Sequence, residues 1–198
     1  MGNFVLVISS PSGGGKTTII NELLKRRKDV KRVVTATTRA PRQGEKNGRD
    51  YLFWTAGNFE SAVKQGAMAE WAKVFSDYYG TPKAGLESLL KKNIIPVLNI
   101  DVQGAKTIKK LYKNSVLVFI MPPSWAELKK RLLARRGGTN DINLRLKTAK
   151  KEAAQIKHYD YLLINDKLEQ AVTDLSDILT AEKLKVKRSK NNVNRKRI

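Results

Sequence analysis

Ser9-Ser10-Pro11-Ser12-Gly13-Gly14-Gly15-Lys16-Thr17-Thr18 follows the apolar run Phe4-Val5-Leu6-Val7-Ile8 and precedes Ile19-Ile20-Asn21-Glu22-Leu23-Leu24-Lys25, which reads as a helix. Strand, glycine-rich loop and helix, in that order, are the context of a phosphate-binding loop. Gly13, Gly14 and Gly15 let successive backbone N–H groups turn toward one anion. The helix N-terminus adds its partial positive charge. Lys16 has the reach for β- and γ-phosphates, and the Thr17 hydroxyl can hold a magnesium ion. Ser10 stands where the pattern G-x-x-x-x-G-K-[ST] has its first glycine. A glycine-rich turn without a ligand is the alternative, and the flanking strand and helix argue against it.

Around that loop the chain alternates. Residues 3–9 predict a strand, 17–28 a helix and 30–34 a second strand. From Lys83 onward the spacing predicts helix 83–92, strand 94–100, helix 103–111, strand 115–121 and a helix capped by Ser124 that runs through Arg135. A break at Gly137-Gly138-Thr139-Asn140 leads to helix 142–157, strand 159–164 and helix 168–181. Such alternation predicts an α/β fold, a parallel sheet flanked by helices on both faces. Residues 35–81 break the pattern and read as an inserted lobe. Within it are a polar, basic, turn-rich stretch from Thr35 to Tyr51, a short strand Tyr51-Leu52-Phe53-Trp54 and a helix from an Asn58 cap to about Gln65, ended by Gly66. A hairpin over Met68–Tyr79 follows, closed by Gly80-Thr81-Pro82.

The bulk properties suit one soluble domain: 198 residues, 41% hydrophobic and 29% charged. No apolar run is long enough to span a membrane, and the N-terminal run leads straight into the loop rather than reading as a signal peptide. The chain has no cysteine, which excludes disulfides, thiolate catalysis and cysteine metal sites and fits a reducing cytoplasm. Its single histidine, His158, argues against a histidine-based metal centre and reads as a structural or solvent-facing side chain. The formal net charge is +21. A basic body suits polyanions, nucleotides and nucleic acid alike. Part of the charge is a tail: residues 182–198 are poor in apolar residues and read as disordered. That tail is either a tether for nucleic acid or, the preferred reading, simply solvated.

A phosphate loop names a ligand class and not a reaction. Arg39 and Arg42 flank Pro41, which stiffens the segment, so two guanidiniums are placed to grip one phosphate. Tyr51 and Tyr79 can each add a hydroxyl. Taken singly, these are solvated arginines and core tyrosines; their combination argues for a second anion site.

The run Thr38-Arg39-Ala40-Pro41-Arg42-Gln43-Gly44-Glu45-Lys46-Asn47-Gly48-Arg49-Asp50-Tyr51-Leu52-Phe53 closely resembles the T-R-x-P-R-x-G-E-x-x-G-x-D-Y-x-F signature of guanylate kinases. The resemblance continues through Glu70-Trp71-Ala72, Tyr78-Tyr79-Gly80, Asp101-Val102-Gln103-Gly104, Pro122-Pro123-Ser124, His158-Tyr159-Asp160-Tyr161 and Asn165-Asp166. It implies a P-loop nucleoside monophosphate kinase-like fold with residues 35–81 as the GMP-binding lobe and a short lid at about 135–146. It implies that Arg39, Arg42, Tyr51 and Tyr79 hold the GMP phosphate, that Glu70 accepts hydrogen bonds from guanine N1–H and the 2-amino group, and that Thr35 and Thr81 face the base. Ser12, Gly13, Gly14, Gly15, Lys16, Thr17, Thr18 and Asn165 would form the ATP side, with magnesium held by Thr17 and by Asp101 through water. For Asp101 the alternative is a helix-capping role. Lys16, Arg39, Arg131, Arg135 or Arg136, and Arg145 would surround the transferring phosphoryl group.

The expected activity is ATP-dependent phosphorylation of GMP, and of dGMP, with Mg2+. No general base is needed, since the attacking phosphate oxygen is already ionised; fixed cations act where the transition state spreads negative charge. A carboxylate facing two donors suits guanine and rejects adenine. Two departures stand out. Asn99 sits where many family members carry an acid that helps read guanine, and Arg136-Gly137-Gly138-Thr139-Asn140-Asp141-Ile142 is a shortened lid. Rival readings are a non-catalytic scaffold module, disfavoured by Lys16 and Thr17, and a P-loop kinase for another acceptor, in which Glu70 would have no purpose. Monomer and homodimer stay open.

Overall fold

Apolar strands alternating with amphipathic helices form two sheets. The computed structural model describes residues 4–74, 76–134 and 142–186. Strand β1 (Leu6–Ser9) leads through the loop into α1 (Lys16–Arg26) and then β2 (Val30–Arg32). A second region contains β3 (Ala36–Thr37), β4 (Leu52–Phe53), α2 (Ala56–Lys64), β5 (Met68–Val74) and β6 (Asp77–Pro82). The alternation resumes with α3 (Lys83–Lys91), β7 (Ile95–Asn99), α4 (Val102–Leu111), β8 (Val116–Met121) and α5 (Trp125–Leu133). It ends with α6 (Ile142–Ala153), a 3-10 turn over Ile156–His158, β9 (Tyr161–Ile164) and α7 (Leu168–Leu184). Among the described residues no helix is long and apolar enough to cross a membrane.

The main sheet has the order β2-β7-β1-β8-β9 and its pairs are parallel. Leu6, Val7 and Ile8 are fully buried because helices cover both faces. One face packs Ile19, Ile20 and Leu23 of α1 and Ala171, Val172, Leu175 and Leu179 of α7 against the sheet. The other packs Leu86 of α3 and Ala105 and Ile108 of α4. The chain leaves β1 toward β2 on one side and later returns to place β8 on the other. The loop after β1 therefore sits where the winding reverses, the usual ligand crevice of such sheets.

The second sheet has the order β4-β3-β6-β5, with β3 parallel to β4 and antiparallel to β6. Phe59 of α2 is buried against it, stacked on Tyr78 at 5.3 Å. Strand β3 was not expected. Its two residues lie in a polar run with no periodicity, and only their partners on both sides make them a strand. Gly80-Thr81-Pro82 does not close the hairpin but continues β6, where Glu70 pairs with Thr81.

Other boundaries also move. The predicted helix 142–157 stops at Ala153, and β9 starts at Tyr161 rather than 159, because the 3-10 turn intervenes. Helix α7 runs to Leu184, past the predicted end at 181: Glu182 is buried and accepts from Tyr161 Oη at 2.5 Å, which holds the added turn on β9. The rest of the predicted tail, 187–198, and the break at 137–140 lie outside the described residues. The cap of α2 is Thr55, not Asn58: Thr55 Oγ1 accepts from Asn58 N at 3.2 Å. Thr55→Ala should lower the unfolding free energy by about 1 kcal/mol in a urea titration, and Asn58→Ala should leave it within a few tenths.

Candidate active site

The loop after β1 is built for an anion. Gly13 and Gly15 both have φ of 89°, in the left-handed region that strains any side chain. A Cβ on Gly15 would lie 2.1 Å from Asn165 Nδ2. Gly14 N donates to Pro11 O at 3.0 Å, closing the turn. Ser10 is buried, and a Cβ on Gly14 would lie 2.8 Å from its Cβ and Oγ. The small serine thus fills space that the glycine at 14 leaves, which explains how the loop closes without a glycine at 10. Lys16 Nζ donates to Ser10 O at 3.3 Å. Ser12, Thr17 and Thr18 are exposed, the two threonines on the first turn of α1.

Two buried polar groups tie this loop to its neighbours. Ser9 Oγ donates to Ile100 O at 2.8 Å, joining the ends of β1 and β7. Asn165, just after β9 and 7% exposed, donates from Nδ2 to Gly14 O at 2.9 Å. Its backbone carbonyl accepts from Arg131 Nη2 at 3.2 Å. The amide expected on the ATP side holds the backbone of the loop. Arg131 is further held by Glu127 Oε1 at 2.8 Å, and its Nη1 comes to 4.0 Å from where a Gly15 Cβ would stand.

Beside the loop, Thr35, Tyr51, Glu70, Tyr79, Asn99 and Asp101 line one cleft of about 170 Å³. Six residues predicted from three separate segments are brought together here. Glu70 is 6% exposed, and its Oε1 accepts from Thr81 Oγ1 at 2.5 Å. Burial pushes its carboxyl up to about 7; the Thr81 hydrogen bond opposes the shift and the nearby Asp101 charge adds to it. Thr81 itself is fully buried and does not line the cleft. Its expected position against a base is corrected: it holds the carboxylate from behind. Asp101 caps α4, its Oδ1 accepting from Gln103 N at 2.9 Å and Gly104 N at 2.8 Å. The capping role is thus realised, on a residue that also lines the cleft.

The arginine pair is organised by Glu45. Arg39 Nη2 reaches Glu45 Oε1 at 2.9 Å and Oε2 at 3.0 Å, and Arg42 N donates to Oε2 at 2.7 Å. The Arg39 guanidinium lies 5.5 Å from the Tyr51 ring centre, and the Tyr51 and Tyr79 rings meet edge-on at 6.1 Å. The Arg42 side chain is exposed. Sequence reasoning passed over Glu45, although an acid inside so basic a run was the available signal.

Arg145 is half-buried on α6, while Arg135 and Arg136 lie outside the described residues. Helix α6 also carries Glu152, which sequence reasoning missed. Burial raises its carboxyl, and its charge faces Lys16 and Asp101. Ala149, one turn before it, packs with Leu128 and Leu132 of α5. Those leucines stand 3.2 and 3.3 Å from where a Gly13 Cβ would be, so the loop, α5 and α6 form one packed unit.

The guanylate kinase family profile matches residues 3–182. The chain belongs to the guanylate kinase family. Family members phosphorylate GMP using ATP and are nucleoside monophosphate kinases of purine metabolism. The chain is 45% identical over 183 residues to a guanylate kinase of Wolbachia sp. subsp. Brugia malayi, covering 91% of this chain and 94% of that one. It is 41% identical over 188 residues to that of Clostridioides difficile, covering 94% and 92%. A crystal structure of guanylate kinase from Anaplasma phagocytophilum superposes with a TM-score of 0.78 at 36% identity, covering 94% of this chain and 89% of the other. TT1252 from Thermus thermophilus, at 14% identity and a TM-score of 0.51, shares the fold alone.

If the Asn165 amide shapes the loop, Asn165→Ala should raise KM for ATP about tenfold, with KM for GMP little changed in steady-state assays, while Arg131 keeps its bond to the backbone carbonyl at 165.

Proposed function

We propose that the chain transfers the γ-phosphoryl group of MgATP directly, in line, to the phosphate of GMP or dGMP. The observation that carries this reading is the convergence of Glu70, Tyr51, Tyr79, Asn99 and Asp101 on one cleft beside the phosphate loop. Donor and acceptor sites then share an edge, and no residue between them need accept a proton.

The donor phosphates lie on the backbone N–H groups of Gly13–Gly15 and the N-terminus of α1, with Lys16 against the β- and γ-oxygens. Magnesium fits the residues present. The exposed Thr17 hydroxyl and the Asp101 carboxylate would each supply one hard oxygen ligand, directly or through water. Among the described residues there is no cluster of three acidic, histidine or cysteine side chains. That is the sparse donor set of an ion that keeps its waters and binds through substrate phosphates. When bound, it neutralises charge on the β- and γ-phosphates.

Arg39, Arg42 and the Tyr51 and Tyr79 hydroxyls hold the GMP phosphate. Glu45 keeps Arg39 against Tyr51 before substrate arrives, which lowers the ordering cost of binding. Glu70 accepts from guanine N1–H and the 2-amino group, and the Asn99 carbonyl oxygen and Thr35 hydroxyl face the same base. None of these contacts needs the 2′-hydroxyl, hence dGMP. A phosphate oxygen of GMP attacks the γ-phosphorus as the bond to the β-bridging oxygen breaks, leaving ADP. Arg131 and Arg145, with Arg136, oppose the charge on the equatorial oxygens. Residues 35–81 act as the acceptor lobe and about 135–146 as the lid, closing to exclude water. A cytoplasmic setting, where both nucleotides are available, goes with this reading.

Two measurements test it. ADP release should be stimulated by GMP and dGMP, far less by AMP, CMP or UMP, and Lys16→Ala should lower kcat by about a hundredfold or more. Absence of GMP-stimulated turnover would overturn the proposal.

The second concerns pH. The Glu70 carboxyl, raised to about 7 by burial, must ionise to accept two donors. KM for GMP should therefore climb as pH falls below about 7, and Glu70→Gln should flatten that climb. The GMP phosphate, with its second pKa of about 6, contributes equally in both proteins. Folding stability should run the other way. The folded state holds the extra proton, so stability falls as pH rises from about 4.5 to about 7, a slope that Glu70→Gln removes.

A further inference from the structure

Gly104 lies in the first turn of α4. Its backbone is not in the left-handed region, unlike that of Gly13 or Gly15. Glycine weakens a helix where alanine would strengthen it. Local conformation therefore gives no reason for glycine at this position. The surroundings give one. A Cβ on Gly104 would lie 2.8 Å from Glu70 Oε2, 3.3 Å from Glu70 Cδ and 3.2 Å from Ile100 Cδ1. The Ile100 methyl, at the end of a flexible side chain, can yield. So can the Glu70 carboxylate, as far as folding is concerned. For recognition it cannot, because both of its oxygens are placed: Oε1 accepts from Thr81 Oγ1 at 2.5 Å, and Oε2 rests over Gly104.

We infer that Gly104 is a specificity-positioning residue, whose missing side chain seats the Glu70 carboxylate at the depth where it meets the acceptor base. This rests on the reading of Glu70 as the guanine acceptor. Two parallel hydrogen bonds to N1–H and the 2-amino group require both carboxylate oxygens at the base edge together. Thr81 holds one oxygen and Gly104 leaves room for the other, so a methyl at 104 tilts the pair away. Gly104 has a second attachment: its N–H donates to Asp101 Oδ1 at 2.8 Å. One turn of helix thus touches the carboxylate that reads the base and the carboxylate proposed to act at the transfer centre. The two roles separate kinetically, since displacement of Glu70 acts on GMP alone.

The test uses Gly104→Ala, Glu70→Asp, the double variant and Glu70→Gln in the full chain. Gly104→Ala should raise KM for GMP about tenfold or more, keep KM for ATP within about twofold, and leave the melting temperature unchanged or higher. Glu70→Asp withdraws the carboxylate by one methylene from the space above residue 104. In that background Gly104→Ala should add little, a clear departure from additivity. The inference is overturned if KM for GMP is unchanged in Gly104→Ala, if the two substitutions add independently, or if kcat or KM for ATP moves in its place. If Glu70→Gln leaves KM for GMP unchanged, the guanine reading itself fails. If Glu70→Gln raises it while Gly104→Ala does not, the guanine reading stands and this inference alone falls.

Discussion

Strands β1 and β7 pair in parallel, with Ile8 opposite Asn99, and their common direction puts two chemically different chain segments at one sheet edge. From β1 emerges the glycine-rich loop; from β7 emerge Asn99, Ile100 and Asp101. The Ser9 hydroxyl bonded to Ile100 O locks the two ends in register. A buried hydroxyl without a partner is costly, so this bond also penalises any slip between the strands. The anion-binding backbone and the acidic side chain then face one crevice without any long-range electrostatic arrangement.

The second sheet supplies what the first cannot. A parallel sheet is buried on both faces and offers chemistry only at its strand ends. The antiparallel β5–β6 pair can place a side chain on a chosen face with one stiff partner directly beside it. Glu70 and Thr81 use that geometry: the pairing sets a hydroxyl under a carboxylate. The desolvated carboxyl is raised to about 7, so burial disfavours its charged form, and well-placed donors favour it. On the proposed reading, discrimination follows from the same fact, because a base without those donors leaves one carboxylate oxygen buried without a partner from the ligand.

Several groups act by holding other side chains and turns of the site in place. Glu45 holds Arg39 to a ring face and closes the turn at Arg42. Asn165 clasps the loop carbonyl and the arginine beside it. Glu152 sets a half-buried carboxylate toward Lys16 from a helix that packs on the loop through α5. Each restrains a flexible cation or a strained turn, so less ordering is left for the moment of binding.

The alternating fold, the phosphate loop and the arginine-tyrosine set were legible in the sequence, because each rests on local pattern: glycine spacing, hydrophobic period, and paired guanidiniums about a proline. The strand Ala36–Thr37 was not legible, since two residues carry no period and become a strand only through partners 16 positions away on one side and 42 and 44 on the other. The props supplied by Thr81 and Asn165 were not legible for a related reason. The resemblance places both at the site, but whether a polar side chain faces solvent or a neighbouring buried group depends on packing between elements distant in sequence. Gly104 is the sharpest case. As a letter in a helix it reads only as a weak residue, and its purpose exists only in the contact between α4 and β5. The amino-acid sequence by itself determined which chemical groups are present and which anions they suit. Tertiary structure decided which groups face the ligand and which hold those groups in place, because burial and close contact are properties of pairs that the chain brings together only when folded.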